Sequence, residues 1–276
     1  LAPVTRRFEQ KTPKTYPQLA TYDLDMTIDL NCDMGESFGA WRMGDDEAVM
    51  PFVSSVNIAC GFHAGDPTTM WRTVEAAARH RLAIGAHPGY PDLQGFGRRE
   101  MRCSTQEVYD MVLYQIGALA AFAQAAGQKL RHVKPHGALY NTAARDAKLA
   151  EAVAQAVRAF DASLVLYGLA GSVMISEAQK LGLRVAHEVF ADRTYQADGS
   201  LTPRSQPNAL LETVPDSVRQ VLSLAQHGQA TATDGTVIRL PADTVCIHGD
   251  GPNAAATAEA VYNALRENGI EVAPPF

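Results

Sequence analysis

The sequence has few cysteines and no long apolar segment, and both absences exclude classes of protein. Its four cysteines stand at positions 32, 60, 103 and 246 and form no C-x-x-C pair. Neither a zinc ribbon nor a dithiol redox motif is therefore expected, and the default is four reduced, mostly buried thiols. The most apolar segment, residues 118–126, is too short for a bilayer and contains Gln124. No transmembrane helix is predicted.

Positive charge is also scarce. The 24 Lys and Arg residues are outnumbered by 30 Asp and Glu, which gives a formal net charge of -6 at pH 7. A nucleic-acid surface or a polybasic membrane contact needs clustered Lys and Arg. With 46% hydrophobic and 20% charged residues, the composition is that of a globular protein. We expect a small-molecule partner, no nucleic acid and no membrane; self-association stays open.

The first 25 residues contain Arg6, Arg7, Lys11 and Lys14 but lack the continuous apolar segment of a secretory signal. The sequence thus predicts a cytoplasmic chain. Residues 1–25 are predicted to be an N-terminal extension, peripheral or poorly ordered.

From Met26 onward, short runs of β-branched residues alternate with helical patterns, which is typical of strand–helix units in a parallel sheet. Seven strands are predicted, at residues 26–30, 53–59, 82–86, 130–133, 164–167, 183–187 and 244–247. Seven strands approach the number in a closed barrel. Residues 26–276 are therefore predicted to form one α/β domain, a (β/α)7 barrel.

Residues typical of helix N-termini and of a hairpin turn predict three helix starts and one turn. The predicted signals are Asp66-Pro67, the capping box Ser104 with Glu107, Pro252 at the start of a last helix, and the hairpin turn Asp234-Gly235.

Polar residues gather where the predicted strands end. In a parallel barrel the loops after the strands open on one face, where catalytic groups lie. Five of the eight histidines stand at or just after a predicted strand end, namely His63, His87, His136, His187 and His248. A single polar site is implied.

The segment after the first predicted strand carries Asn31, Asp33 and Glu36. Two carboxylates on one tight loop can hold a cation, or one can act as a base whose pKa the other raises. The alternative is that either acid caps the following helix. Asn31 and Glu36 are candidate substrate contacts, and Asp33 is a candidate catalytic residue.

His63 and His87 with Asp33 would form a two-His-one-carboxylate metal site that leaves positions for water and substrate. The alternative is that each histidine is a hydrogen-bonded core residue. No i,i+4 helix spacing supports the metal set, because the residues come from separate loops.

Lys134, beside a predicted strand end, is a candidate to orient an anion or to act as a base with a lowered pKa. The alternative is a surface lysine that lies along apolar neighbours. His136 in the same loop is a candidate substrate contact. Arg193 could bind a substrate carboxylate, or pair with Asp192 or Glu188 instead.

Residues 248–252 form a Gly-rich turn ahead of a helix, which suits an anion. His248 is a candidate substrate contact there. Asp250 is either a catalytic base or a helix cap. The chain has no G-x-x-x-x-G-K-[S/T] and no G-x-G-x-x-G after a strand, so the usual marks of ATP or dinucleotide sites are absent.

In these segments the sequence resembles the LamB/YcsF family, from about Met26 to Val272. The residues that carry the resemblance are Asp29-Leu30-Asn31-Cys32-Asp33-Met34-Gly35-Glu36, Asn57-Ile58-Ala59-Cys60-Gly61-Phe62-His63-Ala64-Gly65-Asp66-Pro67, Gly85-Ala86-His87-Pro88-Gly89-Tyr90-Pro91-Asp92, Gly95-Phe96-Gly97-Arg98-Arg99, His132-Val133-Lys134-Pro135-His136-Gly137-Ala138-Leu139-Tyr140-Asn141, Glu188-Val189-Phe190-Ala191-Asp192-Arg193 and Cys246-Ile247-His248-Gly249-Asp250. Asn208 stands where Gly is expected, and Asn tolerates the left-handed backbone conformation.

The resemblance implies a distorted seven-stranded barrel of the glycoside hydrolase/deacetylase type. It also implies one component of an ATP-dependent 5-oxoprolinase, which with subunits B and C converts the lactam 5-oxo-L-proline to L-glutamate while ATP becomes ADP and phosphate. We hypothesise that Asp33 or His63 is the base and that Lys134 stabilises the oxyanion. Two alternatives stay open: a metal-dependent amide hydrolase or carbohydrate deacetylase, and a non-catalytic lactam-binding subunit.

Overall fold

The structure is a computed structural model that describes residues 26–249, 251 and 253–276. The predicted extension of residues 1–25 lies outside the described residues, as do Asp250 and Pro252. The roles predicted for Asp250 and Pro252 therefore stay predictions.

Seven parallel strands close into a barrel, as the sequence predicts. The barrel consists of β1 to β6 and β9. The strands among the described residues are β1 (Met26–Met34), β2 (Ser55–Ala59), β3 (Ala83–His87), β4 (Leu130–Val133), β5 (Val165–Leu169), β6 (Arg184–Phe190), β7 (Gln229–Thr231), β8 (Val237–Arg239), β9 (Thr244–Ile247) and β10 (Ile270–Val272). Strands β1 to β6 pair in chain order, β9 pairs with β6, and β9 pairs back with β1. The hairpin β7–β8 is antiparallel and stands outside the barrel, which confirms the predicted turn.

Helices follow most of the barrel strands. They are α1 (Asp46–Val49), α2 (Pro67–Arg79), α3 (Thr105–Ala125), α4 (Gly137–Ala143), α5 (Ala147–Phe160), α6 (Val173–Lys180), α7 (Val214–His227) and α8 (Ala254–Glu267), with a 3-10 turn at Met50–Phe52. Two of the predicted helix starts are confirmed: Asp66 accepts from the N–H groups of the first turn of α2, and Ser104 and Glu107 form the capping box of α3. Asn208 has φ +62°, so it does adopt the left-handed conformation.

The first strand is longer than predicted. It extends to Met34, so Asn31 and Asp33 lie on β1 and not in the loop after it. Pairing explains the extension: β10 pairs with the start of β1, β9 with its middle and β2 with its end. The sequence did not predict β10.

The barrel interior is polar. Asp29, Asn31 and Asp33 alternate along β1 and face inward, because successive strand residues point to opposite sides. At the bottom, Asp29 accepts hydrogen bonds from four hydroxyls, those of Ser54, Ser55, Tyr167 and Thr244, at 2.6–3.0 Å. Burial raises the pKa of Asp29 even though these hydrogen bonds lower it.

The apolar core lies between the strands and the helices. Leu30 and Cys32, which alternate with the inward-facing residues of β1, are fully buried and pack in one cluster with Leu119 of α3 and Val153 of α5. All four cysteines are free thiols and three of them are buried, as predicted. In the part of the chain that the structure describes, no helix combines the length and hydropathy needed to cross a bilayer.

We expect Asp29→Asn to lower the free energy of unfolding by about 2–4 kcal/mol, because the amide N–H₂ cannot accept and buried hydroxyl donors are left unsatisfied. Urea unfolding followed by circular dichroism measures the change. Glu75→Gln on the exposed face of α2 is the control and should change the free energy by less than about 0.5 kcal/mol. Equal unfolding curves for the two variants would contradict the structural role of Asp29.

Candidate active site

A cleft of about 980 Å³ opens at the carboxyl end of the barrel strands. Four of the predicted substrate contacts, Glu36, His136, Arg193 and His248, line it, together with Asp33 and Lys134. Asn31 is fully buried one layer below the cleft. The structure thus brings most of the predicted residues to one place.

Lys134, immediately after β4, is the positive charge at the floor of this cleft. Its Nζ lies 2.9 Å from Asp33 Oδ1 and 2.7 Å from Glu188 Oε1, and it also donates to Asn31 Oδ1 at 3.1 Å and to Cys246 Sγ at 3.1 Å. Burial alone would lower the pKa of Lys134, but Asp33, Cys246 and Glu188 raise it well above its ordinary value. The prediction of a lowered pKa for Lys134 is therefore wrong. The alternative, that Lys134 is an exposed surface lysine, is wrong as well because the side chain is buried. Lys134 is a fixed buried cation.

Asp33 is an ionised carboxylate with both oxygens in use. Its Oδ1 accepts from Lys134 and from Asn57 Nδ2 at 2.8 Å, and its Oδ2 lies 3.3 Å from His87 Nε2. Burial raises the pKa of Asp33, but His87 and Lys134 lower it by more, so that it falls well below its ordinary value. The prediction that the charge of a second carboxylate raises the pKa is therefore wrong for Asp33.

Asn31 and Asn57 set the positions of these charges. Asn31 donates to Glu188 Oε1 at 3.1 Å and to Thr244 Oγ1 at 2.7 Å, and its Oδ1 accepts from Asn57 at 2.7 Å. Its whole amide is thus used inside the barrel. Asn31 orients the carboxylates and Lys134 from below, whereas sequence reasoning made it a candidate substrate contact.

Three histidines and Glu36 form a second cluster beside Asp33. His63 follows β2, His87 ends β3, and His136 precedes α4. The rings of His63 and His136 stack with centroids 3.7 Å apart, and Glu36 Oε1 lies 3.7 Å from His63 Nε2 and 3.6 Å from His136 Nδ1. Burial is the main cause that lowers the pKa of both His63 and His136 well below the ordinary value, so both rings are neutral.

A glycine-rich loop holds the histidines together. Gly97 has φ +62°, and a Cβ there would stand 2.7 Å from His63 Cβ and 2.9 Å from His136 Cδ2. A Cβ at Gly89 would stand 2.6 Å from His63 Nδ1. The close stacking of the rings therefore depends on glycine at both positions.

His248 and Arg193 border the cleft from the other side. His248 Nδ1 lies 2.8 Å from Asp192 Oδ1, and the ring stacks on Phe190. Arg193 donates from Nε to the Ala209 carbonyl and from Nη2 to the Thr202 carbonyl. These donors organise the 193–209 segment, and a substrate contact by Arg193 stays a prediction.

Sequence reasoning missed the grouping of Glu36 and His136 with the other histidines. Both residues stand in the quoted motifs, but only the closed barrel shows that the loops after β1 and β4 meet there. It also missed Arg98, Arg145 and Arg204, which line the cleft.

Comparison with known proteins identifies the family. Residues 28–276 match the LamB/YcsF family model. The chain belongs to the LamB/YcsF family. It is 62% identical over 245 residues to the A subunit of 5-oxoprolinase from Tolumonas auensis, covering 89% of this chain and 98% of that one. The A subunit of 5-oxoprolinase from Bordetella parapertussis is 59% identical, with 90% and 99% covered.

A solved structure supports the fold directly. The lactam utilization protein from Thermus thermophilus aligns with a TM-score of 0.86 at 50% identity, covering 90% of this LamB/YcsF chain and 99% of that one. The family and the barrel that the sequence resemblance implies are therefore confirmed. Both 5-oxoprolinase relatives carry the name of one lettered component, which implies that other subunits exist.

We expect Lys134→Met to lower the free energy of unfolding by about 3–5 kcal/mol, because it leaves two buried carboxylates without their cation. Thermal and urea unfolding measure the loss. The double variant Lys134→Met/Glu188→Gln should lose less than the sum of the single variants, since it removes one of the unpaired charges. An additive double variant would show that Lys134 and Glu188 do not interact.

Proposed function

We propose that this chain is the component of an ATP-dependent 5-oxoprolinase that opens the lactam ring of 5-oxo-L-proline to give L-glutamate. ATP is the co-substrate of the complex, and subunits B and C are the partners. The names of the relatives at 62% and 59% identity support this reaction. The single structural observation that carries it is the buried Lys134 ammonium between two carboxylates at the floor of a cleft.

The chemistry explains why ATP is needed. A five-membered lactam is a resonance-stabilised amide, and its ring nitrogen is a poor leaving group. Transfer of the γ-phosphoryl group of ATP to the carbonyl oxygen releases ADP and gives an activated lactam. Water then adds to that carbon, the C–N bond breaks and the nitrogen takes up a proton, which leaves an acyl phosphate. A second water hydrolyses the acyl phosphate to the carboxylate of glutamate and free phosphate. Because this chain lacks the usual nucleotide-binding motifs, we assign the phosphoryl transfer to the partner subunits.

The second half of the reaction takes place in this cleft. Lys134 is fixed by its two carboxylates before substrate binds, so it stabilises the developing oxyanion without reorganisation. Asp33 and His63 are the two groups that can accept the proton of the attacking water. Asp33 lines the cleft 2.9 Å from Lys134, and this short distance supports the proposal that a base and a cation act on the same carbonyl.

The test is an assay of L-glutamate and ADP formation by this chain mixed with candidate partner subunits, ATP and 5-oxo-L-proline. We expect no turnover by the chain alone and turnover on mixing. Asp33→Asn should reduce glutamate formation at least about 100-fold, the scale of a lost general base. The control Asp110→Asn, on the exposed face of α3, should retain full turnover. Normal turnover by Asp33→Asn would exclude Asp33 as the base.

The histidine cluster favours a second candidate, a metal-dependent amide hydrolase or carbohydrate deacetylase. Glutamate formation from 5-oxo-L-proline without ATP, or acetate release from an acetylated sugar, would support it. The third candidate is a lactam-binding subunit without catalysis. Variants of Asp33 and Lys134 that bind lactam and partners normally but do not turn over would exclude it.

A further inference from the structure

Two histidine rings in the cleft face each other, each through the ring nitrogen that does not contact a backbone carbonyl. His87 Nδ1 lies 2.7 Å from the Lys134 carbonyl oxygen, and His136 Nε2 lies 2.8 Å from the Phe96 carbonyl oxygen. A carbonyl only accepts, so these two nitrogens carry the ring protons. In a neutral imidazole the other nitrogen then has a lone pair. Those nitrogens, His87 Nε2 and His136 Nδ1, stand 2.9 Å apart.

When both rings are neutral, the lone pairs of these two nitrogens repel at this distance unless a positive charge lies near both. A proton on His87 Nε2 would relieve the contact and would also face Asp33 Oδ2 at 3.3 Å. A proton at this position would not satisfy the ring nitrogens of His63. His63 is 1% exposed and neither of its ring nitrogens has a hydrogen-bond partner among the described residues, although burying such groups unpaired costs about 1–3 kcal/mol each.

The unpaired His63 points into the same small space. One ligand atom from each of Glu36, His63, His87 and His136 can be chosen so that all four lie within 4.8 Å of one another. A single ion among them would accept the lone pairs of all three histidines and one oxygen of Glu36. A proton can bridge only two of these atoms.

We propose that Glu36, His63, His87 and His136 bind one divalent transition-metal ion of the zinc class. Three imidazoles and one carboxylate suit zinc and its neighbours, whereas calcium and magnesium prefer an all-oxygen set. In a tetrahedral site, Zn–N bonds of about 2.0–2.1 Å put ligand nitrogens about 3.3–3.4 Å apart, so His87 and His136, now at 2.9 Å, would separate by only a few tenths of an ångström to bind the ion. The two backbone carbonyls hold these rings as partners of metal-bound histidines commonly do.

This set differs from the one that the sequence predicts, because Glu36 and His136 join it and Asp33 does not. Asp33 belongs instead to a second group of metal-ligand types, with Cys246 and His248. Lys134 Nζ already lies 2.9 Å from Asp33 and 3.1 Å from Cys246. An ammonium ion at that position repels a second cation, so the second group is a poor metal site.

A metal ion at this site would affect the proposed lactam reaction, but ion binding itself does not require that reaction. A bound ion would polarise a substrate oxygen as a Lewis acid. Binding would use the lone pair of His63, which leaves Asp33 as the base. Glu36 and His136 line the cleft, so this side of the site faces the space where substrate would lie.

The experiment measures ion binding by the full chain, without lactam or ATP, so that its failure is separate from failure of the proposed reaction. After dialysis against a chelator, Zn²⁺ is titrated by calorimetry, bound metal is counted by mass spectrometry, and the melting temperature is measured with and without zinc. We expect one ion per chain and a melting temperature that rises with free zinc. Absence of stoichiometric binding would overturn the proposal.

Variants locate the ion. Glu36→Gln and His63→Gln should each weaken zinc binding at least about 10-fold, a loss that even outer-shell partners of a metal site can cause. His248→Gln, from the second group, and His80→Gln, an exposed histidine after α2, should bind as the wild type does. Wild-type affinity in Glu36→Gln and His63→Gln, or lost binding in His248→Gln, would overturn the assignment.

A spectrum of the unaltered chain covers the case in which a variant fails to fold. Co²⁺ replaces Zn²⁺ in most such sites and its absorption depends on the ligands. We expect d–d bands of a nitrogen and oxygen site without a thiolate charge-transfer band. A thiolate band would show that a cysteine is a ligand and would overturn the proposal.

Discussion

The buried ion pairs of Lys134 with Asp33 and Glu188 are the interaction on which the interior of this barrel depends. Each of these charges would cost several kcal/mol to bury alone. Together, at 2.9 and 2.7 Å, they offset much of that cost, but only if their remaining polar atoms are also satisfied. Asn31 donates to Glu188 Oε1 and Asn57 donates to Asp33 Oδ1, which explains why amides fill a layer that apolar side chains fill in many barrels.

This arrangement separates stability from chemistry. The apolar cluster between the strands and helices, with residues such as Leu30, Leu119 and Val153, provides most of the hydrophobic stabilisation. The polar interior contributes less to stability because of its desolvation cost, but it fixes charges below the cleft. Fixed charges and dipoles that need no reorganisation are what lower the energy of a charged transition state.

Local features were predictable from the sequence, and features that depend on the closed barrel were not. The capping box at Ser104 and the left-handed Asn208 rest on neighbouring residues alone, and both are confirmed. The length of β1 was missed because Asn and Asp are poor strand formers, and only pairing with β2 and β9 keeps Asn31 and Asp33 extended. The predicted direction of the Lys134 pKa shift was wrong because that shift also depends on the closed barrel. The carboxylate of Glu188, which raises this pKa, is 54 residues away in the chain.

Asp33 connects the two halves of the site through its two oxygens. Oδ1 contacts Lys134 and Oδ2 faces His87, so the cation below the cleft and the histidine cluster share one carboxylate. Around them, Asp33, Glu36 and Glu188 carry three formal negative charges and Lys134 carries one positive charge. A phosphorylated lactam is itself an anion, and a floor with two excess negative charges would repel it. The arginines on the cleft wall would attract such an anion from outside. At the floor, a divalent cation held by Glu36 and the histidines would cancel the excess negative charge, which links the proposed ion to the proposed substrate through charge alone.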